Sequence, residues 1–253
     1  MSSSTEPTQR FFGRRVVVAG AASGIGKVTA ERLVAEGAEV IAVDIDAAGL
    51  DVLSAVSGAI TPVVGDLTNA THIEQIIQVV GSDVDGVVSV AGIHDGWLPP
   101  AEIDDETWQR VFALNVEAPM RLTRALLPAM IARGRGSFVY ISSEAGLRAS
   151  LGGAAYTASK NALQGFAKSV AFYYGRAGVR SNCVAPGGVT TDMDTRYRSE
   201  YAREMTVPRL KPELRPAAVA PSVIVRPILW LLSDEAAHIN GVVLPADAGW
   251  SVI

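Results

Sequence analysis

The chain of 253 residues carries a single cysteine, Cys183. One thiol excludes an internal disulfide and a cysteine-built zinc site, and points to a reduced, cytoplasmic setting. Charge is also scarce. Asp, Glu, Lys and Arg make up 19% of the residues, and 22 basic side chains against 26 acidic ones leave a net charge of −4. No basic run of five or more occurs. That balance argues against binding nucleic acid by electrostatics. With 49% hydrophobic residues, it also excludes a disordered chain. No stretch of 18 apolar residues occurs, so no segment is expected to span a membrane. The first ten residues are polar and lack the apolar stretch of a secretory signal, so a flexible tail is expected over 1–10. No repeat and no Gly/Ser- or Pro-rich linker divides the rest, and 11–253 reads as one domain. The three histidines, His72, His94 and His238, are scattered in sequence, and no metal site is expected.

What is present is an alternation. Short β-branched runs recur at Arg15-Val-Val-Val-Ala19, Glu39-Val-Ile-Ala-Val-Asp44, Ile60-Thr-Pro-Val-Val-Gly65, Val84-Asp-Gly-Val-Val-Ser-Val90, Gly136-Ser-Phe-Val-Tyr-Ile-Ser142, Arg180-Ser-Asn-Cys-Val-Ala185 and Gly241-Val-Val-Leu-Pro245. They are apolar on both faces, as buried parallel strands are. Helical patterns lie between them at 24–36, 70–80, 104–133 (broken into two), 156–174 and 221–232. Several end in glycine, which suits a helix C-terminus. The alternation predicts an α/β fold with a doubly wound, seven-stranded parallel sheet and helices on both faces. The region 190–216, rich in Arg, Glu, Tyr and Pro, reads either as a segment over a ligand site or as a variable surface loop.

The first strand runs into Ala19-Gly20-Ala21-Ala22-Ser23-Gly24-Ile25-Gly26 and straight on into a helix. Glycines at this spacing permit a tight turn, a close approach of backbone to a pyrophosphate, and packing of helix on strand. The helix N-terminus then offers its N–H groups to phosphate. Asp44 closes the second strand, 44 − 26 = 18 residues beyond Gly26. A carboxylate there accepts the adenosine ribose hydroxyls and repels a 2′-phosphate. Neither Ser23 nor Ile45 supplies a basic group for that phosphate, so NAD is expected over NADP. The other reading of Asp44 is a cap for the turn that follows. Asp66-Leu67 and Ala91-Gly92 close the third and fourth strands, where a nucleotide would lie.

Tyr156 and Lys160, in Tyr156-Thr-Ala-Ser-Lys160, stand four apart on one helical face. A phenol titrates near ~10, and a neighbouring ammonium favours its ionised form. The pair therefore predicts a tyrosine acid/base with a lowered pKa. Ser143 follows the fifth strand, 156 − 143 = 13 residues before Tyr156, and can hydrogen-bond a substrate oxygen. Asn115 sits mid-helix between apolar neighbours and needs partners for its amide, such as a water or a backbone group.

Together these strings resemble the short-chain dehydrogenase/reductase family, in its compact single-domain branch, over roughly 13–249. The family's T-G-x-x-x-G-x-G falls on 19–26, with Ala19 in place of the Thr. Its Asn, Ser, Tyr and Lys fall on Asn115, Ser143, Tyr156 and Lys160. Its N-N-A-G falls on Ser89-Val90-Ala91-Gly92, without either Asn. Its P-G-x-V-x-T falls on Pro186-Gly187-Gly188-Val189-Thr190-Thr191, so Pro186, Gly187, Val189 and Thr191 are expected at the nicotinamide. The resemblance implies hydride transfer between NAD(H) and a secondary alcohol or its ketone. Tyr156 would be acid/base, Lys160 would tune it and hold the nicotinamide ribose, Ser143 would position the substrate oxygen, and Asn115 would support a proton-relay water.

His94, Trp97, Glu144, Ala145, Gly188, Met193 and Tyr197, with Ile93, lie after strand ends or in the irregular segment. They suggest a small hydrophobic substrate, cyclic ones included. Two rivals follow: an NADPH-dependent 3-oxoacyl thioester reductase of the same family, and a non-catalytic NAD-binding sensor or scaffold. The resemblance also implies a homotetramer, with Phe172-Tyr173-Tyr174 and Trp250-Ser-Val-Ile253 as apolar ends suited to subunit contacts.

Overall fold

The computed structural model describes residues 9–210, 213 and 215–252, with the side chain of Ser150 left aside. Most of the tail expected at the N-terminus, and part of 190–216, lie outside the described residues. Arg10, placed in that tail by the sequence, is instead ion-paired to the buried Glu36 at 2.6 Å.

Seven strands form one parallel sheet: β1 (Arg15–Ala19), β2 (Glu39–Asp44), β3 (Ile60–Val64), β4 (Gly86–Ser89), β5 (Gly136–Ile141), β6 (Val179–Pro186) and β7 (Val243–Ala246). Their spatial order is β3-β2-β1-β4-β5-β6-β7. This is the doubly wound Rossmann arrangement the alternation predicts. The order reverses between β1 and β4, which pair in register from Val16↔Gly86 to Ala19↔Ser89. At such a reversal the crossovers leave on opposite faces and open a crevice beyond the strands' carboxyl ends.

Helices α1 (Gly24–Ala35), α2 (Ala47–Ser54) and α8 (Pro221–Leu232) cover one face. Leu33, Leu50, Leu53, Ile224 and Ile228 pack there on Val16, Val18, Val40 and Ala42. Helices α3 (Ala70–Val80), α5 (Ala118–Arg133) and α6 (Ala154–Tyr174) cover the other. There Ile76, Leu122, Met130 and Leu163 pack on Val17, Ile41, Val87 and Phe138. Burial on both faces is why the central strands are apolar rather than alternating, while the edge strands β3 and β7 keep exposed positions. Two further helices, α4 (Asp105–Phe112) and α7 (Glu200–Thr206), complete the set.

Two helices, α2 and α7, are absent from the sequence reading. Helix α2 carries few apolar repeats and was not anticipated; Leu50 and Leu53, both fully buried, suffice to seat it. The long pattern over 104–133 divides into two helices, α4 and α5, as expected. A five-residue π-helical turn, Ala113–Glu117, joins α4 to α5 without interruption, with Asn115 buried inside it. Among the described residues no helix is long and apolar enough to cross a membrane.

Candidate active site

The crevice is a cavity of about 560 Å³, within the range of small-molecule and cofactor sites. One end is built by the β1–α1 turn. Gly20 lies at φ 89°, and a Cβ there would meet the Ala91 nitrogen at 2.5 Å. Only glycine lets the first and fourth strand ends close together. Gly20, Ser23, Gly24 and Ile25 line the cavity, with the α1 N-terminus facing it. Gly26 does not. A Cβ on it would fall 1.8 Å from the Gly20 carbonyl oxygen, so it serves the packing of turn on helix and not contact with a ligand.

Asp44 and Ile45 form the next wall. Asp44 combines both readings of it. One carboxylate oxygen accepts the Ala22 N–H at 2.9 Å and so fastens the glycine turn. The other accepts the Asp46 N–H at 3.1 Å. Asp66 and Leu67 follow, then Ala91 and Gly92. The Asp66 carboxyl is held below its usual range by the Thr68 hydroxyl and N–H, at 2.7 and 2.8 Å. Pro186, Gly187, Gly188, Val189 and Thr191 close the floor beyond β6.

Ser143, Tyr156 and Lys160 meet at the other end. Ser143 ends the extended segment after β5 and its Oγ also accepts the Ala145 N–H at 3.1 Å. Its hydroxyl hydrogen-bonds the Tyr156 phenol. Tyr156 and Lys160 share a face of α6, as their spacing predicts. The Lys160 ammonium lies 5.4 Å from the Tyr156 ring centroid and donates to the Ile141 carbonyl at 3.0 Å.

The electrostatics reverse one expectation. The phenol of Tyr156 is pushed above its usual value by burial, against the pull of the Ser143 hydrogen bond; Asp95 adds to the rise. Lys160 is itself pushed down to about 8 by burial. Both groups lack solvent, and a desolvated phenol and a desolvated ammonium each favour the neutral form. The ammonium also points at the Ile141 carbonyl rather than at the phenol oxygen.

Asn115 is buried behind the wall. Its Oδ1 accepts the Ile93 N–H at 2.9 Å, and its Nδ2 donates to the Ile93 carbonyl and to the Ser159 Oγ, each at 3.0 Å. The side chain thus clamps the π-helical turn to the strand-end loop and to α6, and Ile93 serves the clamp instead of facing the cavity.

Among the residues expected at the substrate, His94, Trp97, Ser143, Glu144, Gly188 and Met193 line the cavity. Ala145 does not, being wholly buried beneath Ser143. Tyr197 does not either; it backs the wall, its ring stacked on Trp97 at 4.8 Å. His94 packs on Tyr156 with ring centroids 4.6 Å apart. Burial lowers its pKa, and its Nδ1 accepts the Gly96 N–H at 3.1 Å. Glu144 pairs with Arg148, and burial raises its carboxyl above the usual range.

Sequence reasoning missed several wall residues. Leu114, Leu151, Leu210 and Ala218 add apolar surface. Trp250, read from sequence as an end suited to a subunit contact, turns inward instead. Its ring lies under the Arg148 and Arg215 guanidinium groups, each 5.4 Å from the ring. Thr191, Asp192, Met193, Thr195, Leu210 and Arg215, all from 190–216, also border the cavity. The Asp95 carboxylate, fully buried behind His94, was missed as well; a local Asp-Gly reads from sequence as a turn.

A sequence model of the short chain dehydrogenases matches residues 14–202. A curated relative, 3beta-hydroxysteroid dehydrogenase 2 of Eggerthella lenta, is 34% identical, the alignment covering 94% of this chain and 95% of the relative. Among solved structures, levodione reductase superposes with a TM-score of 0.85 at 27% identity, over 96% of this chain and 99% of the other. A 3-oxoacyl-[acyl-carrier protein] reductase from Brucella melitensis with bound NAD gives 0.83 at 28% identity, over 97% of this chain and 94% of that one.

Proposed function

Because the chain belongs to the short-chain dehydrogenase/reductase family, an oxidoreductase family that uses a nicotinamide cofactor, we propose that it transfers a hydride between NAD(H) and a small hydrophobic cyclic secondary alcohol or its ketone. One observation carries the reading. Ser143, Tyr156 and Lys160 stand at one end of the cavity whose other end is the glycine turn and Asp44.

The residues present fit a dinucleotide. Gly20, Ser23, Gly24 and Ile25 line the cavity, the α1 N-terminus faces it, and Asp44 presents a carboxylate at the second strand's end. A phosphate there would be held by the turn's N–H groups. Asp44 would accept ribose hydroxyls and disfavour a 2′-phosphate. When bound, the nicotinamide supplies the two-electron chemistry.

The protein's own groups handle the proton and the geometry. In oxidation the Tyr156 phenolate oxygen takes the substrate hydroxyl proton; in reduction the phenol returns it to the carbonyl oxygen. Ser143 donates to that same oxygen and to developing charge on it. Lys160, charged below about 8 and 5.4 Å from the Tyr156 ring centroid, would hold the nicotinamide ribose hydroxyls. Trp97, His94, Trp250, Leu151 and Met193 supply apolar and aromatic walls, which suit a ring more than a polyol. The relatives acting on a hydroxysteroid and on levodione, as their names state, support a cyclic ketone or alcohol.

The test is a panel of cyclic secondary alcohols offered with NAD and with NADP, followed by NADH absorbance. Turnover with NAD and cyclic alcohols is expected. Turnover confined to NADPH and 3-oxoacyl thioesters would replace this reading with the thioester reductase. Nucleotide binding with no turnover of any alcohol or ketone would leave a sensor or scaffold.

A further inference from the structure

We propose that Asp95 is a positioning residue of this enzyme, which locks the N-terminus of helix α6 to the substrate wall and sets the charge environment of the Tyr156 phenol. The inference rests on the reading of Tyr156 as acid/base.

The N-cap position of helix α6 is Gly153, which has no side chain to cap the helix. The first turn of a helix leaves backbone N–H groups without partners. Here a carboxylate from another loop supplies them. Asp95 is wholly buried. Its Oδ2 accepts the Tyr156 N–H at 2.9 Å and its Oδ1 accepts the Gly153 N–H at 3.0 Å. The next N–H, of Ala154, goes to the Leu98 carbonyl of the same loop at 2.8 Å. Tyr156 is thus held through its own backbone by a charge-assisted bond, stronger than a neutral one. The negative charge also complements the positive end of the helix.

Asp95 reaches the substrate wall as well. Its Oδ1 accepts the Trp97 N–H at 3.1 Å. Trp97 adopts φ 63°, in the left-handed region that a bulky residue avoids. That bond helps hold it there, with the indole N–H donating to the Thr195 carbonyl at 2.9 Å. One carboxylate therefore fixes both the acid/base helix and the aromatic wall. Lys160 on the same helix, and His94 and Asp95 from the β4–α4 loop, are the titratable groups facing Tyr156. Asp194 lies beyond His94, and Cys183 beyond Lys160. Of these, Asp95 is the carboxylate that touches the Tyr156 backbone.

Asp95→Asn keeps an acceptor for Trp97 and Gly153, removes the charge and turns an amide toward the Tyr156 N–H. The rising limb of kcat against pH for alcohol oxidation is expected to move down by about one pH unit, as loss of a nearby like charge favours the phenolate. The maximal rate should fall by about tenfold or more through misplacement. Gly153→Ala, whose Cβ would press within 2.5 Å of both Asp95 oxygens, keeps the charge; it should lower kcat without that downward shift. An unmoved or upward-moved limb in Asp95→Asn, with Tyr156→Phe inactive, would overturn the role of Asp95 alone. Normal turnover in Tyr156→Phe would overturn it together with the reading beneath it. Should Asp95→Asn fail to fold, hydrogen exchange of the wild-type protein decides. The Trp97, Gly153 and Tyr156 amides are expected to be slow, and exchange at the rate of an exposed loop would overturn the proposal.

Discussion

The Lys160 ammonium donates to the Ile141 carbonyl at 3.0 Å, and among the described residues no carboxylate forms an ion pair with it. This is a cation buried at a strand end with one neutral acceptor. Such a group gives up its proton more readily than in water, which is why Lys160 sits at about 8.

A stability signature follows. Below pH 8 the native and unfolded chains both hold the Lys160 proton, and the cost of burying the charge is at full strength. Between about 8 and 10.5 the unfolded chain binds more protons, so this contribution becomes more favourable as pH rises. Above 10.5 the cost is gone. The full change amounts to about 3 kcal/mol, at 1.36 kcal/mol per pKa unit. Denaturant titrations of wild type and Lys160→Met across this range should show wild type gaining on the variant with rising pH. A gap that stays constant would mean that the native ammonium titrates normally.

Tyr156→Phe should retain NADH binding and lose turnover by at least ~10²-fold, the scale of general acid/base catalysis. Removing one phenol oxygen leaves the ring packed on His94, so the fold is expected to persist. NADH fluorescence titration beside steady-state rates would separate the two effects.

Ser143→Ala removes the hydrogen bond that draws the Tyr156 pKa down. Alcohol oxidation in wild type should accelerate with rising pH as phenolate forms. In the variant that rise should begin at higher pH, with kcat lower by about 10²-fold, as for loss of one donor to a developing oxyanion. Profiles of kcat against pH for the two proteins check the sign of the displacement.

Asp44→Ala combined with Ile45→Arg should shift the ratio of kcat/KM toward NADP. The double change removes the repulsion of a 2′-phosphate and supplies a cation beside it. It also removes the acceptor for the Ala22 N–H, so absolute rates with both cofactors should drop while the ratio moves. An unchanged ratio would mean that Asp44 does not choose the cofactor.

Trp250→Ala should raise KM for a cyclic alcohol more than it alters NADH affinity, since the ring walls the cavity between Arg148 and Arg215. It should also destabilise the protein by roughly 3–5 kcal/mol, as loss of a buried Trp side chain does. Thermal denaturation measured beside the kinetics separates the two.

The sequence by itself determined the sheet, the glycine turn and the catalytic face. Short β-branched runs apolar on both faces suit buried parallel strands, the spacing of Gly20, Gly24 and Gly26 suits a tight strand-to-helix turn, and the helical period alone puts Tyr156 beside Lys160. Those are local facts, carried by period and by backbone freedom. Tertiary structure decided what depends on burial and on partners distant in sequence. It seated α2 through two leucines, and it turned Trp250 inward over the cavity. It brought Asp95 under the first turn of α6, 61 residues away from Tyr156. It also reversed the sense of the Tyr156 titration, because desolvation outweighs a neighbouring ammonium that points at a backbone carbonyl. Spacing along a helix says which groups are close; only the packed interior says how much water and which counter-charges each of them keeps.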